Sequence, residues 1–437
     1  MGSMEMTEFS SWPGLVVPDR SSDATSIRRM TLRTLSLEEH GRVRGAVRPP
    51  KLTYQELVRL VETAGLSGRG GAGFPTVRKL TSMAQYRGKV VVVANGSESE
   101  PLAHKDETLM IHQPHLVLEG VAIVADALQA TAAFMVAKTK NQLVVDSVET
   151  ALKERRRARL DRVPVQPRIA DPGYTSGVET SVIQQLNGKG AKPAYFPVRP
   201  ITRGVSKRPT FVSNVETFAA IALIARMGAE AFARMGTSEA PGTQLLTVSD
   251  PDGHYQILEV RGSTPFTEVV SFTGIDMLRV STVLLGGYFG QLIAPGVALG
   301  LRVAPAEMKR QGMSIGAGVV AFSSACPVAE ASAICSYLAT QSAGQCGPCF
   351  NGLPAIAKEL GRLAQGATLQ RGVAEIGRLG DQIIGRGGCA MPDGAVLIAR
   401  SLFRNFPNEV ALHEKGQCTA VKMRPVFVAP EYAKVAS

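Results

Sequence analysis

Between Gly65 and Thr76 the chain reads Gly-Leu-Ser-Gly-Arg-Gly-Gly-Ala-Gly-Phe-Pro-Thr, with five glycines inside nine residues. No side-chain packing folds such a segment locally. What it offers is backbone, because glycine tolerates positive φ and leaves N–H groups open to close approach by phosphate oxygens. The order Gly68-x-Gly70-x-x-Gly73 has the spacing of the dinucleotide fingerprint, but that fingerprint follows a strand and opens a helix. Here Tyr54 to Glu62 precede it with apolar residues at helical spacing, which argues against an ordinary Rossmann unit. Spacing alone also admits a flexible surface loop. Phe74 and Lys79, an aromatic face and a cation beside the glycines, favour a nucleotide.

A chain of 437 residues, 45% of them hydrophobic, is long enough to bury more than one core. Lys89-Val90-Val91-Val92-Val93-Ala94 is short and β-branched, the pattern of a buried strand. It runs into Asn95-Gly96-Ser97-Glu98-Ser99-Glu100-Pro101, and the end of a core strand is where α/β folds place ligands. A solvated turn fits Ser97 and Ser99 equally well. Glu98, Glu100 and Asp106 around Lys105 are more carboxylates than a turn needs. A helix over about 115–133, a strand over Phe134–Ala137 and a charged helix over about 144–158 continue the alternation of an α/β sheet. From Gln244 the runs Gln244–Val248, Tyr255–Val260 and Val280–Leu285 are strand-like and separated by turns. From about 323 the periodicity is helical over Val328–Leu338, Leu353–Leu363, Val373–Ile384 and Ala395–Phe406, which predicts a four-helix bundle.

The net charge of +11 raises nucleic acid as a partner. Aromatics make up only 5%, so platforms for stacking bases are not indicated. The clearest basic run, Arg155 to Arg159, lies near Glu149, Glu154 and Asp161 and reads as a solvated helix face. A basic surface equally attracts an acidic redox partner or a dinucleotide. Leu116 to Ala133 is the longest apolar stretch, but Glu119 and Asp126 interrupt it, and it is too short and polar to span a bilayer. Met1-Gly2-Ser3 reads as an expression remnant and no secretory leader is visible, so a cytoplasmic protein is expected.

All six cysteines fall in the last quarter: Cys326, Cys335, Cys346, Cys349, Cys389 and Cys418. Clustering of this kind points to a metal or redox site rather than a disulfide framework. Cys346-Gly347-Pro348-Cys349 on a tight turn, with Cys389 forty residues on, suits one metal or cluster. Zinc and a thioredoxin-like dithiol are the other readings, and the lack of a βαβ context disfavours the dithiol.

Gly65 to Thr76 resembles the flavin- and NADH-binding loop of the NADH-oxidising 51 kDa (F) subunit of respiratory complex I, shared with NAD-dependent hydrogenases and formate dehydrogenases. Asn95, Glu98, Glu100, Pro101, Lys105-Asp106 and Pro114-His115-Leu116 resemble that family's Asn-Ala-Asp-Glu-x-Glu-Pro strand end and the helix after it. Ser97 stands where the family has a flavin-contacting Asp. Tyr174, Gly177 and Glu179 follow the motif Gly-x-Tyr-x-x-Gly-Glu-Glu-Thr, with Val178 in place of the first acid. Phe196 and Arg199 align with a Lys and a Phe of the adenine-side wall, the types exchanged. Pro209 to Thr217 resembles the flavin segment Pro-Thr-x-x-Asn-Asn-Val-Glu-Thr, with Ser213 replacing one Asn and Asn214 and Thr217 kept. Residues 243–305 look like the family's ubiquitin-like module. The family's cluster turn reads Ser-Cys-Gly-x-Cys-x-Pro-Cys. Here Ala343 occupies the first ligand position, leaving Cys346, Cys349 and, forty residues later, Cys389. Cys335 lies eight residues before Ala343, roughly 12 Å along a continuing helix, too far for a direct exchange. Cys326, Cys418, Ser342 and a solvent hydroxide remain as a fourth ligand.

The resemblance implies an α/β fold. Residues 1–50, polar, proline-containing and without sustained periodicity, read as an extended arm wrapping the main domain; the resemblance then implies a Rossmann-like FMN/NADH domain over 51–240 and a β-grasp (SLBB-type) module over 241–322. A helical iron–sulfur bundle over 323–410 and a tail over 411–437 complete it. It implies hydride transfer from NADH to FMN. Single electrons then pass through a [4Fe-4S] cluster to a ferredoxin-like or other iron–sulfur partner, within a complex and without nucleic acid or a membrane span. Attachment to a membrane complex stays open. The implied cofactor-binding set is Gly68, Arg69, Gly70, Gly71, Ala72, Gly73, Phe74, Lys79, Asn95, Ser97, Glu98, Glu100, Tyr174, Glu179, Ser213, Asn214 and Thr217. The acids are read as shaping the cleft. Ser97, Val178 and Ala343 equally fit a degenerate paralogue that binds flavin or nucleotide but serves in assembly or regulation. A basic nucleic-acid-binding protein with a structural zinc is the remaining alternative.

Overall fold

The computed structural model describes residues 14–15, 26–30, 33–138, 141–194, 199–367, 372–420 and 424–428. Its strands are β1 (Ile27–Arg29), β2 (Val91–Gly96), β3 (Ala132–Ala137), β4 (Val165–Ile169), β5 (Thr210–Asn214), β6 (Thr243–Ser249), β7 (Tyr255–Arg261), β8 (Thr282–Leu285), β9 (Gln291–Ile293) and β10 (Val319–Ser323). They form two sheets, so the architecture is mixed α/β.

The first sheet is parallel throughout, in the order β4-β3-β2-β5. A parallel sheet is covered on both faces, which explains why β2 has no polar alternation. Val92 and Ala94 join the core beneath the helices Pro114–Ala127 and Val215–Met227. Val91 and Val93 join a second cluster with Val182 and Ile183 of the helix Glu179–Leu186. The chain moves from β2 outward through β3 to β4, then returns to place β5 on the other side of β2. The crevice at the carboxyl ends of β2 and β5 is therefore the topological switch point, where open α/β sheets bind ligands.

The helices Pro114–Ala127 and Val215–Met227 cross at Gly120, where an added Cβ would come within 1.9 Å of the Phe218 carbonyl oxygen. Glu119, which breaks the apolar run in sequence, is buried here. Arg226 Nη2 donates to it at 2.8 Å, and His40 Nε2 lies 2.9 Å away. His40 belongs to the helix Leu37–Arg44, started by a capping box between Ser36 and Glu39, so the N-terminal segment is not extended throughout. The basic run after residue 154 is not a solvated face throughout. Arg156, Arg157 and Arg159 are exposed, but Arg155 is buried, and its guanidinium is held by Asp161 at 2.6 and 3.0 Å.

The second sheet runs β1-β7-β6-β10-β8-β9, with β6 and β10 parallel and the other neighbours antiparallel. In β10, Val320 and Phe322 face a core with Phe266 and Val269 of the helix Phe266–Thr273. Val319 and Ala321 face the C-terminal helices. Those helices are Pro327–Thr340, Leu353–Ala364, Gly372–Ile383, Met391–Asn405 and Pro407–His413. No single helix among the described residues is long and apolar enough to cross a membrane.

Candidate functional site

Asn95, one residue before the end of β2, and Asn214, the last residue of β5, are paired in register at the carboxyl edge of the parallel sheet. Asn214 also caps the next helix, its Oδ1 accepting the Glu216 N–H at 2.9 Å. The glycine loop docks onto that helix start: the Arg69 N–H donates to Thr217 Oγ1 at 2.9 Å. Gly71 has φ +103° and Gly73 φ +59°, conformations that a side chain would strain. The loop thus presents bare backbone to the crevice, with Gly70, Ala72 and Gly73 exposed.

A cavity of about 530 Å³ opens there, and all seventeen residues of the expected cofactor-binding set line it. They do not all face it with side chains. The buried Arg69 guanidinium turns away, donating to the Thr243 carbonyl at 2.8 Å and to Gln244 Oε1 at 3.2 Å. Lys79 Nζ does enter, donating to the Val212 carbonyl at 2.7 Å and lying 3.6 Å from Glu179. Asn95 Nδ2 donates to the Gly177 carbonyl at 2.9 Å, and Ser97 Oγ lies 3.3 Å from Ser176 Oγ. Val178 also lines the cavity, whereas Arg199 does not, and Phe196 is outside the described residues.

The carboxylates have separate tasks. Glu98 accepts the N–H groups of Asp106 and Glu107, at the start of the helix Lys105–His112. Burial, reinforced by Asp106, pushes its carboxyl above the usual range. Glu100 Oε2 accepts the Tyr174 hydroxyl at 3.0 Å and the Tyr288 N–H at 2.9 Å, while buried Oε1 has no hydrogen-bond partner among the described residues. Burial raises this carboxyl to about 7 despite those bonds.

Sequence reasoning gave Lys105 and Asp106 no definite role, and it missed Glu216 and Phe289. Lys105 is buried, with Nζ 2.6 Å from Asp106 Oδ1 and 2.9 Å from Glu216 Oε2. Burial opposes its charge, but the carboxylates of Asp106, Glu216 and Glu98 outweigh it and raise its pKa. Phe289 stacks on Tyr174 with ring centroids 5.5 Å apart and an interplanar angle of 20°. Phe74 and Phe289 are both exposed at the cavity. The signal for Phe289 was a large aromatic among the glycines 286–290.

The wall of this cavity includes Ala390, the residue after Cys389. Cys346 Sγ lies 3.1 Å from Cys349 Sγ, and Cys346 and Cys349 both act electrostatically on Cys389, so the three thiols converge. The Ser342 hydroxyl hydrogen-bonds to Cys349. Cys335 is buried against the Ala395 carbonyl. Cys326 and Cys418 meet elsewhere, with Glu409 and His413.

Residues 61–223 match the Nuo51 FMN-binding domain, and residues 329–413 match the NADH-ubiquinone oxidoreductase-F iron-sulfur binding region. This chain belongs to the NADH-binding 51 kDa (F) subunit family. The family comprises NADH dehydrogenase-type oxidoreductases and related flavoprotein subunits. Among its relatives, an NADH-quinone oxidoreductase (F) subunit of Rhizobium meliloti (strain 1021) is 29% identical over 382 residues, 84% of this chain and 90% of the relative. NADH dehydrogenase [ubiquinone] flavoprotein 1, mitochondrial, of Dictyostelium discoideum is 27% identical, covering 81% of this chain and 78% of that one. A crystal structure of NAD+-reducing [NiFe]-hydrogenase in the H2-reduced state superposes with a TM-score of 0.74 at 25% identity. That match covers 84% of this F-family chain but 64% of the hydrogenase chain, less than two thirds of its length.

Proposed function

We propose that this chain is the NADH-oxidising flavoprotein subunit of a larger redox complex. The observation that carries the reading is the convergence of the glycine loop, Lys79, the 95–100 segment and two exposed aromatic rings on the switch-point cavity. Bound there, FMN supplies hydride acceptance from NADH, and a [4Fe-4S] cluster at Cys346, Cys349 and Cys389 supplies single-electron exit to an iron–sulfur partner.

The residues fit a flavin nucleotide. The loop Gly70–Gly73 offers exposed backbone to a phosphate, and Lys79 Nζ stands in the same cavity. Phe74 and Phe289 offer planar faces for the nicotinamide and flavin rings. Glu100 Oε1 is buried with no hydrogen-bond partner among the described residues, so a proton held on it is available to a ligand atom. The side chains orient the reactants and exclude water, and hydride transfer itself asks for no side-chain acid. Ser97 and Val178 replace family acids, which makes the cleft less negative.

The cysteine set fits three cluster positions, with Ala343 in place of the fourth ligand. Ser342, bonded to Cys349, stands next in the chain. Ala390 in the cavity wall puts the cysteine site one residue from the cleft, which favours electron transfer over a role in binding alone.

We further infer that the second sheet is a β-grasp module and that the C-terminal helices form a bundle. The strand order β7-β6-β10-β8-β9, with two hairpins, an intervening helix and a parallel central pair, supports the former. Contacts of Pro327–Thr340 with Leu353–Ala364 and Met391–Asn405 support the latter. The domain limits proposed from sequence, and a cytoplasmic location peripheral to any membrane complex, follow from the same reading.

Reconstitution with flavin tests the cleft. FMN should bind stoichiometrically and be retained through gel filtration, and Lys79→Ala should weaken it at least tenfold. Selective retention of FAD, or of no flavin, contradicts the proposal.

A further inference from the structure

We propose that Cys326, Glu409, His413 and Cys418 form a metal site of the zinc class, separate from the cysteines of the cluster turn. One ligand atom from each lies within 4.8 Å of every other. Cys326 Sγ is 3.2 Å from His413 Nε2 and 3.9 Å from Glu409 Oε1, and those two are 3.5 Å apart. Tetrahedral ligands at the usual zinc–sulfur and zinc–nitrogen lengths stand about 3.6 Å from one another, so these spacings bracket the requirement. Two thiolates, an imidazole and a carboxylate are a donor set of intermediate softness that suits zinc better than calcium or magnesium.

The surroundings aim each ligand. His413 Nδ1 lies 3.0 Å from the Leu363 carbonyl, which only accepts, so Nδ1 carries the proton and Nε2 turns its lone pair toward the other three. Cys326 stands at the N-terminus of the helix Pro327–Thr340, with its sulfur turned toward His413 and Glu409. Glu409 Oε2 accepts the Thr419 hydroxyl, and Oε1 faces the cluster of ligands while accepting the Thr419 N–H at 3.1 Å. Cys418 Sγ accepts the Ala420 N–H at 3.4 Å. Cys326 and His413 are almost wholly buried, at 0% and 2% exposure. All four donors can thus be filled by one ion with no water, the closed arrangement of a structural zinc.

The site joins residue 326, just after β10, to residue 418, beyond the last helix. The tail has a second anchor: Glu330 accepts the N–H groups of Val426 and Phe427, at 2.8 and 3.1 Å. The Phe427 carbonyl accepts the Tyr288 hydroxyl at 2.6 Å, and the Tyr288 N–H reaches Glu100 in the cleft. The ion therefore fixes a tail that supports the cleft wall. It also assigns Cys326 and Cys418 to their own site, not to the position held by Ala343.

The test is metal analysis of the full chain, expressed without a polyhistidine tag in medium holding both iron and zinc. Stoichiometric zinc is expected alongside iron. Cys418→Ser and His413→Ala should each lose at least 80% of the zinc while keeping bound FMN, and Cys346→Ser should keep the zinc. Should either tail variant misfold, cobalt substitution of the unmutated chain decides: intense tetrahedral bands with thiolate charge transfer are expected. Zinc far below stoichiometric in the unmutated protein, zinc lost only with Cys346, or weak octahedral cobalt bands would overturn the assignment.

Discussion

The cleft and the cysteine-bearing helices both keep polar groups in dry surroundings. At the cleft, Lys105 meets Asp106 and Glu216, Glu98 takes two backbone N–H groups, and Asn214 caps a helix, so most charges are answered by the chain itself. In the helical part, three thiols converge around Cys349 and two more meet Glu409 and His413. There the chain gathers groups that can serve as metal donors, and in the sites proposed above an ion would balance their charge. On the reading proposed above, the cleft stands before its cofactor arrives, and the region from Cys326 to Cys418 is finished by metals.

Removing one partner of the buried ion network breaks this contrast most severely. Lys105→Met leaves Asp106 buried without its cation and Glu216 with only the longer contact to Arg69 Nε at 3.9 Å, and should cost about 3–5 kcal/mol in denaturant unfolding, whatever the metal content. If the loss is below about 1 kcal/mol, the cleft does not depend on its own charges.

Gly287→Ala acts next. The position has φ +74°, and an added Cβ would lie 2.7 Å from the Glu100 carboxyl carbon. A loss of about 1–3 kcal/mol is expected, with weaker FMN retention. Tyr174→Phe, which removes one of two donors to Glu100 Oε2, should cost about 1–2 kcal/mol.

The same carboxyl gives a pH prediction. Its folded pKa is raised from 4.5 to about 7, so the folded state holds the proton more tightly than the unfolded one. The stability this contributes is complete below 4.5 and is lost as pH rises through about 7. In flavin-free protein the Glu100→Gln variant should lack this decline. Tyr174→Phe should extend it to higher pH, because the hydroxyl bond lowers the carboxyl pKa. Chelation sharpens the contrast from the other side. It should reduce hydrogen-exchange protection of Met391–Asn405 and Pro407–His413 and leave β2 and β5 unchanged.

The same division governs what could be read from the sequence. The cleft is assembled from contiguous motifs, and the parallel register of β2 and β5 brings Asn95 and Asn214 together by rule. Its α/β alternation and its later helices were likewise written in local periodicity. Contacts that depend on distant packing were not legible. Glu216 reaches Lys105 only because one helix starts behind the cleft, and Arg155 is buried by Asp161 although its neighbours face water. The capping box Ser36 to Glu39 was present in sequence and marked a helix that the polar composition of the segment hid. The meeting of Cys326 with His413 and Cys418 spans most of the helical region, and no local spacing announces it.

The most direct test of the central claim is an anaerobic titration of freshly purified, FMN-loaded protein with NADH, followed in the visible spectrum. The flavin bands should bleach stoichiometrically, and the broad iron–sulfur absorbance should fall with them. Flavin that stays oxidised in excess NADH would contradict the account and leave this F-family chain as a binding or assembly subunit.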